Sequence, residues 1–229
     1  HHKAIRCSTK TVEMINAELA KLGYPQHLIQ ILDQHSREHT QNLISSADVV
    51  IATGGAGMVK AAYSSGRPAL GVGAGNVQCI IDEGYDYKEA VPKIIAGRTF
   101  DYGIICSGEQ SVICPERDYE AILEEFEANG AYVVRDKKEL EGVRSALFQE
   151  GKPNRHSVGQ SPERIAELAG IRIPEGTKIL VAEAEGTGLT DALGGEKMAP
   201  VIAAYKYKTL DEGIRIAREN LEKEGKGHS

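Results

Sequence analysis

One cysteine lies in a short glycine-bounded loop, a setting in which a thiol can react. Cys106 follows Gly103 and precedes Gly108, between a predicted helix and a predicted strand. Loops held by rigid elements often carry nucleophiles, and a thiolate is a strong nucleophile when its pKa is lowered. A single cysteine in an apolar run is more often inert core, so both interpretations stay open for Cys106.

The other cysteines point to packing rather than chemistry. Cys79 and Cys114 lie within strand patterns, and Cys7 has no chemical neighbour in the sequence. No two cysteines form a CxxC pair, so the sequence predicts neither a disulfide scaffold nor a metal site. We expect reduced thiols in a cytoplasmic protein.

A glycine-rich turn follows the clearest predicted strand. Asp48–Thr53 is a β-branched run, Gly54 and Gly55 follow it, and a helical pattern begins at once. Backbone N–H groups at a helix N-terminus bind anions, and glycine lets a phosphate approach the backbone. The full GxGxxG fingerprint is absent, so a tight turn without a ligand is the alternative.

One glycine segment and two single residues are further candidates, each with an ordinary alternative. Gly71, Gly73 and Gly75 alternate after a strand, which indicates a backbone that comes close to a ligand or to another backbone. Glu196 stands before a strand and could bind a ribose diol, or it is a solvated loop charge. His228 could transfer protons, or it is an ordinary terminal residue.

The composition excludes several classes of protein. The chain has 229 residues, a net charge of −6, 41% hydrophobic and 26% charged residues. A mildly acidic chain without a basic patch is a poor nucleic-acid binder. No apolar run reaches the ~18–20 residues of a membrane span, and no signal peptide is visible.

The predicted strands and helices that would position these residues alternate along the chain, which predicts an α/β fold with a parallel sheet. Gly151–Gln160 and Glu185–Gly195 are the segments without a clear pattern. The predicted strands cover residues 28–32, 48–53, 68–72, 77–81, 111–115, 131–134, 178–182 and 201–205. The predicted helices begin at Ser8 or Thr9 and at Ser36, and then cover 58–65, 86–98, 116–129, 137–148, 162–169 and a last one through Leu210 and Leu221.

Together, three segments resemble the CoA-acylating branch of the aldehyde dehydrogenase superfamily. They are Ile51–Gly66, Gly71–Asn76 and Phe100–Ser111, and their order and spacing match along essentially the whole chain. The resemblance implies an aldehyde-dehydrogenase-like fold. Its parallel-sheet nucleotide-binding part would cover residues 1–98, and its α/β catalytic part residues 99–229.

The resemblance also implies a reaction and its residues. Cys106 would attack an aldehyde carbonyl, hydride would pass to NAD or NADP, and coenzyme A would take the acyl group from the resulting thioester. Thr53, Gly54 and Gly55 would bind the cofactor, and Glu196 would hold its nicotinamide ribose.

Gly73 falls where hydrolytic relatives carry a glutamate general base, and we count it with the cofactor-binding residues. Without a carboxylate to activate water, hydrolysis of the thioester should be slow, which fits coenzyme A as acceptor.

Within the branch, the chain most resembles members that act on succinate semialdehyde, and acetaldehyde and sulfoacetaldehyde are the alternatives. The segments that carry this likeness are Ser46–Val50, Gly84–Tyr87 and Ile104–Ser107. A catalytically incomplete nucleotide-binding fragment is a further alternative. The chain resembles a central fragment, because the family's oxyanion-stabilising Asn and its oligomerisation strands would lie outside it. We therefore expect the isolated chain to be inactive. The resemblance also implies a homo-oligomer, but the segment that forms it would be missing here. Lys3 would suit the 2′-phosphate of NADP or is simply solvated.

Overall fold

The computed structural model describes residues 4–32, 34 and 36–224, which form two compact units. The first extends to Gly71 and the second begins at Val72. The segment from Val72 to Arg98 therefore packs with the second unit. The division into cofactor-binding and catalytic roles after Arg98 stays a prediction.

The first unit places a two-stranded sheet among three helices. Strands β1 and β2 are hydrogen-bonded to each other, and Val50 and Ala52 of β1 pack with Ala62 in a small core. The Oγ atom of Ser36 accepts a hydrogen bond from the His39 N–H at 2.9 Å, so the predicted helix start at Ser36 is confirmed. The elements are α1 (Ile5–Lys21), α2 (Arg37–Ser46), β1 (Val50–Thr53), α3 (Ala56–Tyr63) and β2 (Ala69–Val72).

Two sequence predictions in this unit are wrong. Residues 28–32 do not form a buried strand: they lie in turns and irregular chain, and Leu28 is 55% exposed. Asn16 of α1 donates to the Ile29 carbonyl at 2.7 Å, so the backbone here bonds to a helix instead of a neighbouring strand. Helix α1 also begins before Ser8, after Ala4, which supplies no side-chain cap.

The second unit is built on a five-stranded sheet in the order β3-β4-β9-β8-β5. Every pair in this sheet is parallel, which confirms the predicted fold class. The strands are β3 (Val77–Ile80), β4 (Glu109–Pro115), β5 (Ala131–Val134), β8 (Ile179–Glu183) and β9 (Val201–Tyr207), with the short antiparallel pair β6 (Phe148–Gln149) and β7 (Lys152–Pro153) outside it. The helices are α4 (Tyr87–Thr99), α5 (Tyr119–Ala128), α6 (Lys137–Leu147), α7 (Pro162–Ala169) and α8 (Leu210–Glu224).

Helices cover both faces of this sheet, because its strands are apolar on both sides. Helices α4 and α5 bury one apolar cluster, and α6, α7 and α8 bury the other. The predicted face of α5 is confirmed, since Tyr119, Ile122, Leu123 and Phe126 are all buried. No helix in the described part of the chain is long and apolar enough to cross a membrane.

We expect Phe126→Ala to destabilise the second unit by about 3–5 kcal/mol, because it leaves a cavity under the sheet. Phe126 is completely buried in the apolar cluster that α4 and α5 form with the sheet. The matched control is Glu124→Ala on the exposed side of the same helix. Urea unfolding of the 229-residue chain measures both. Equal unfolding midpoints for the two variants would contradict the packing described here.

Candidate active site

Three segments with candidate site residues lie at the same end of the five-stranded sheet, where its strands begin. Gly73 precedes β3, Cys106 precedes β4 and Glu196 precedes β9. Because β3, β4 and β9 are parallel neighbours, their amino ends lie side by side at one end of the sheet. The sheet therefore gathers residues that are far apart in sequence, and hydrogen bonds between the three segments confirm that they meet.

Cys106 lies half-buried on a strained turn between a short 3-10 helix and β4. Asp101, Tyr102 and Gly103 all have left-handed backbone, with φ of 48°, 53° and 72°. Such angles are costly for residues other than glycine. A Cβ at Gly103 would stand 2.5 Å from the carbonyl carbon of Ala199, so this position also needs glycine for space. The turn that carries the thiol is thereby pressed against the segment before β9.

The carboxylate of Glu196 is not a solvated loop charge, because the residue is only 5% exposed. Its neighbour Lys197 is completely buried, and the Lys197 Nζ donates to the carbonyls of Gln110 and Gly195 at 2.8 and 2.9 Å. The Lys197 N–H donates to the Gln110 side-chain oxygen at 3.0 Å. The segment before β9 is thus bonded to the first residues of β4, just after Cys106.

An irregularity in strand pairing accompanies these bonds. Glu109 pairs with Val77 of β3 and Ser111 pairs with Gln78, so Gln110 has no partner residue on β3. An extra residue of this kind bends a strand and redirects its side chains, and it is frequent beside functional sites. Here the extra residue is the one that bonds Lys197.

Asn76 connects the glycine segment before β3 to the loop before Glu196. Its buried amide donates to the carbonyls of Gly194 and Asn220 at 2.8 and 2.9 Å. Asn220 of α8 in turn accepts from the Gly188 N–H at 2.6 Å. Asn76 lies shortly after the half-buried Gly73, so the segment that carries Gly73 is hydrogen-bonded to the loop that leads to Glu196.

A partly buried ion pair holds the loop over residues 185–195, a segment without a clear pattern in the sequence. Arg144 of α6 donates to both carboxylate oxygens of Asp191 at 2.9 Å. Burial opposes ionisation of Asp191, but the bonds from Arg144 outweigh it, and the pKa of Asp191 is lowered. Asp191 also caps the short 3-10 helix Ala192–Gly194 by accepting from the Leu193 N–H. The chain leading to Glu196 is therefore rigidly placed.

The predicted cofactor-binding turn lies in the first unit. Thr53 ends β1, and Gly55 stands at the N-cap of α3, where no side chain caps the helix. The first N–H groups of a helix have no partner inside it. A Cβ at Gly55 or Gly57 would meet nothing within 4 Å. The start of α3 has no side-chain cap and lies beside open space at Gly55 and Gly57, which suits a phosphate group.

Cys79 and Cys114 are unsuited to act as nucleophiles, as predicted for packing residues. Burial, with a smaller effect of Glu109, raises the pKa of the Cys79 thiol to about 11. Burial also raises the pKa of Cys114, which is fully enclosed in β4. Both thiols stay protonated at neutral pH, whereas Cys106 lies on a half-buried turn and Cys7 is exposed.

Sequence reasoning missed three residues that hold this region together: Arg98, Asn76 and Lys197. Arg98 marked only a helix end, and Lys197 was not singled out by any pattern. Asn76 had one available signal, its position directly after the alternating glycines. Lys3 and His228 lie outside the described residues. Within those residues, no group of three or more His, Cys, Asp or Glu side chains could hold a metal ion.

The chain belongs to the aldehyde dehydrogenase family, whose sequence pattern matches residues 3–143. It is 54% identical over its whole length to the succinate-semialdehyde dehydrogenase (acetylating) of Clostridium kluyveri, covering 51% of that protein. It is 39% identical to the sulfoacetaldehyde dehydrogenase (acylating) of Bilophila wadsworthia over 99% of this chain and 50% of that protein.

A solved structure shows the same fold. An acetylating aldehyde dehydrogenase from Geobacillus thermoglucosidasius matches with a TM-score of 0.94 and 38% identity, over 98% of this chain and 50% of that one. The chain thus spans about half the length of these relatives. The predicted family is confirmed.

We expect iodoacetamide at about pH 8 to label Cys106 and Cys7 in the folded chain and to leave Cys79 and Cys114 unlabelled. The thiolate is the reactive form, and a raised pKa leaves little of it at this pH. Peptide mass spectrometry after timed quenching measures each site, and labelling in urea shows that all four thiols can react. Equal labelling rates for Cys79 and Cys106 in the folded chain would contradict this assignment.

We expect Gly103→Ala to cost clearly more stability than Gly84→Ala. Both glycines have left-handed backbone, with φ of 72° and 79°, so alanine costs about 1–2 kcal/mol at either position. Only Gly103 faces the backbone of Ala199, which adds about 1–3 kcal/mol of overpacking. Urea unfolding of the two variants gives the comparison, and equal losses would show that the contact with Ala199 is relaxed.

Proposed function

We propose that this chain is the cysteine-bearing segment of an NAD(P)-dependent, CoA-acylating aldehyde dehydrogenase. The observation that carries the proposal is the meeting of the Cys106 turn and the buried Glu196 segment at one sheet edge, in a member of the aldehyde dehydrogenase family. The second unit carries both Cys106, the proposed nucleophile, and Glu196, the carboxylate proposed to bind the cofactor.

Cys106 supplies the nucleophile. Its Sγ atom bonds to the carbonyl carbon of the aldehyde, and the carbonyl oxygen takes up a proton, which gives a thiohemiacetal. The hydride that leaves this carbon would pass to the nicotinamide of NAD or NADP, which Thr53, Gly54, Gly55 and Glu196 would hold. The carbon then stays on Cys106 as a thioester, the thiol of coenzyme A displaces the sulfur, and acyl-CoA leaves with the Cys106 thiol restored. The aldehyde is oxidised, the cofactor is reduced, and one proton is released.

The residues present fit a dinucleotide. The uncapped start of α3 and the open space above Gly55 and Gly57 suit a phosphate group. Thr53, Gly54 and Gly55 would hold that part of the cofactor. Glu196, a buried carboxylate, would accept hydrogen bonds from the nicotinamide ribose, and we count Gly73 among the cofactor-binding residues. The choice between NAD and NADP stays open.

Gly73 also favours coenzyme A over water as the acyl acceptor. Hydrolytic relatives carry a glutamate general base at this position, and Gly73 has no side chain to activate water. A thiol near neutral pH is partly ionised and needs less help to attack a thioester. The word acylating or acetylating in the names of the similar proteins supports the same acceptor.

The aldehyde we propose is succinate semialdehyde, converted to succinyl-CoA. Support comes from the higher identity to the Clostridium kluyveri protein, 54% against 39% for the sulfoacetaldehyde relative. Acetaldehyde and sulfoacetaldehyde are the alternative substrates. All four cysteines are free thiols, which supports a reducing cytoplasmic location. We further propose that the complete enzyme is a homo-oligomer.

We expect the Cys106→Ala variant to lose all CoA-dependent cofactor reduction. Because the chain spans half of its relatives, the test uses a chimera in which it replaces the matching half of the Clostridium kluyveri protein. The control is Cys7→Ala, which removes an exposed thiol and should keep full activity. Absorbance of reduced cofactor is followed with NAD or NADP.

The same chimera is assayed with succinate semialdehyde, acetaldehyde and sulfoacetaldehyde. We expect the highest kcat/KM with succinate semialdehyde. Activity that survives in Cys106→Ala would show that another group is the nucleophile. A folded chimera inactive with every aldehyde would contradict the proposed function.

A further inference from the structure

A completely buried arginine lies beside the Cys106 turn and has no role in the reaction described above. Arg98 stands in the last turn of α4, where a cation is favoured by the helix dipole. Its guanidinium donates to three backbone carbonyls. The Ala199 oxygen receives bonds of 2.9 and 2.6 Å, the Gly103 oxygen one of 3.0 Å, and the Gly108 oxygen one of 3.4 Å.

These three carbonyls belong to the segments that carry Cys106 and Glu196. Gly103 and Gly108 lie on either side of Cys106, and Ala199 follows Glu196 in the segment before β9. One rigid planar group therefore bonds the turn before the thiol, the turn after it and the carboxylate-bearing segment. Arginine suits this task because its donors are fixed in a fork, whereas the lysine ammonium is a single point.

Arg98 keeps its charge despite burial. Desolvation lowers the pKa of Arg98 to about 10, while the negative charges of Glu196 and Glu109 oppose that decrease. The group is thus protonated at neutral pH and strengthens its bonds to the carbonyls. Helix α4 also fits closely here, since a Cβ at Gly108 would stand 3.2 Å from the Gly97 carbonyl oxygen.

We propose that Arg98 is a positioning residue that fixes the Cys106 turn against the Glu196 segment. The fixation itself depends only on the contacts described. Its consequence for catalysis rests on the proposed function, because it would hold the attacking sulfur and the ribose-binding carboxylate in one geometry.

Amide hydrogen exchange in the 229-residue chain tests the fixation directly. The Ile104, Gly108 and Lys197 N–H groups lie in these segments, are hydrogen-bonded and serve as reporters. Arg98→Met keeps the apolar volume and removes all the donors, and Arg98→Lys keeps the charge. Arg135→Met is the control, since Arg135 follows β5 and thus lies at the carboxyl ends of the strands, away from the Cys106 turn.

In Arg98→Met we expect exchange of residues 100–108 and 196–200 to rise by ~10-fold or more, with β8 and β9 unchanged. Arg98→Lys should give a smaller rise in the same two segments, and Arg135→Met none. Unchanged exchange in these segments, or an equal rise throughout the second unit, would overturn the proposal. If Arg98→Met does not fold, Arg98→Lys is judged by the same criteria. Failure of both to fold would show a core role instead and also reject the proposal.

Kinetics of the chimera distinguish positioning from general stability. We expect Arg98→Lys to lower kcat by ~10-fold or more while the KM for coenzyme A stays within about twofold. An unchanged kcat would remove the catalytic consequence. A wild-type chimera without activity would contradict the proposed function and leave the exchange result to decide whether Arg98 fixes the turn.

Discussion

Parallel pairing of β4 between β3 and β9 is the constraint on which the rest of the second unit depends. It brings the amino ends of three strands together at one end of the sheet. Each strand is preceded by a segment with a candidate site residue, namely Gly73, Cys106 or Glu196. Open α/β sheets usually bind ligands at the carboxyl ends of their strands. In this unit the proposed site residues lie at the amino ends of the strands, so the loops entering the strands, not those leaving them, have to be held in place.

Holding these loops requires buried polar groups, and the chain supplies them in a consistent way. Arg98 and Lys197 are fully buried cations that donate to backbone carbonyls, and the buried amide of Asn76 does the same. Irregular chain near a core leaves its carbonyls without sheet or helix partners, and leaving them unpaired would be costly. The buried donors meet that need. They also fix each loop at defined points, which a purely apolar contact would do less specifically.

The regular elements of the fold could be predicted from the sequence, because helix and strand periodicity reflects burial that the fold then realises. Ala131–Val134 and Pro162–Ala169 were predicted to the residue, and the buried face of α5 was predicted in full. The apolar run at Leu28 was misread, since an apolar segment does not reveal whether a strand is available to pair with it. Cys106 and Glu196 were found as candidates by local pattern and resemblance. Arg98 and Lys197 were not, because their roles depend on contacts between segments about a hundred residues apart.

The placement of the cysteines shows how one fold gives the same side chain different properties. Cys79 and Cys114 sit on adjacent strands beneath helices, where burial raises the pKa of both thiols and suppresses the thiolate. Cys106 lies only a few residues before Cys114 in the sequence, yet it stands on a half-buried turn before the strand begins. The left-handed backbone at Asp101 and Tyr102 is the cost of ending α4 and reversing the chain in so few residues. That sharp reversal keeps the Cys106 thiol out of the sheet. Arg98 stabilises the reversal by donating hydrogen bonds to the carbonyls of Gly103 and Gly108, which lie on either side of Cys106.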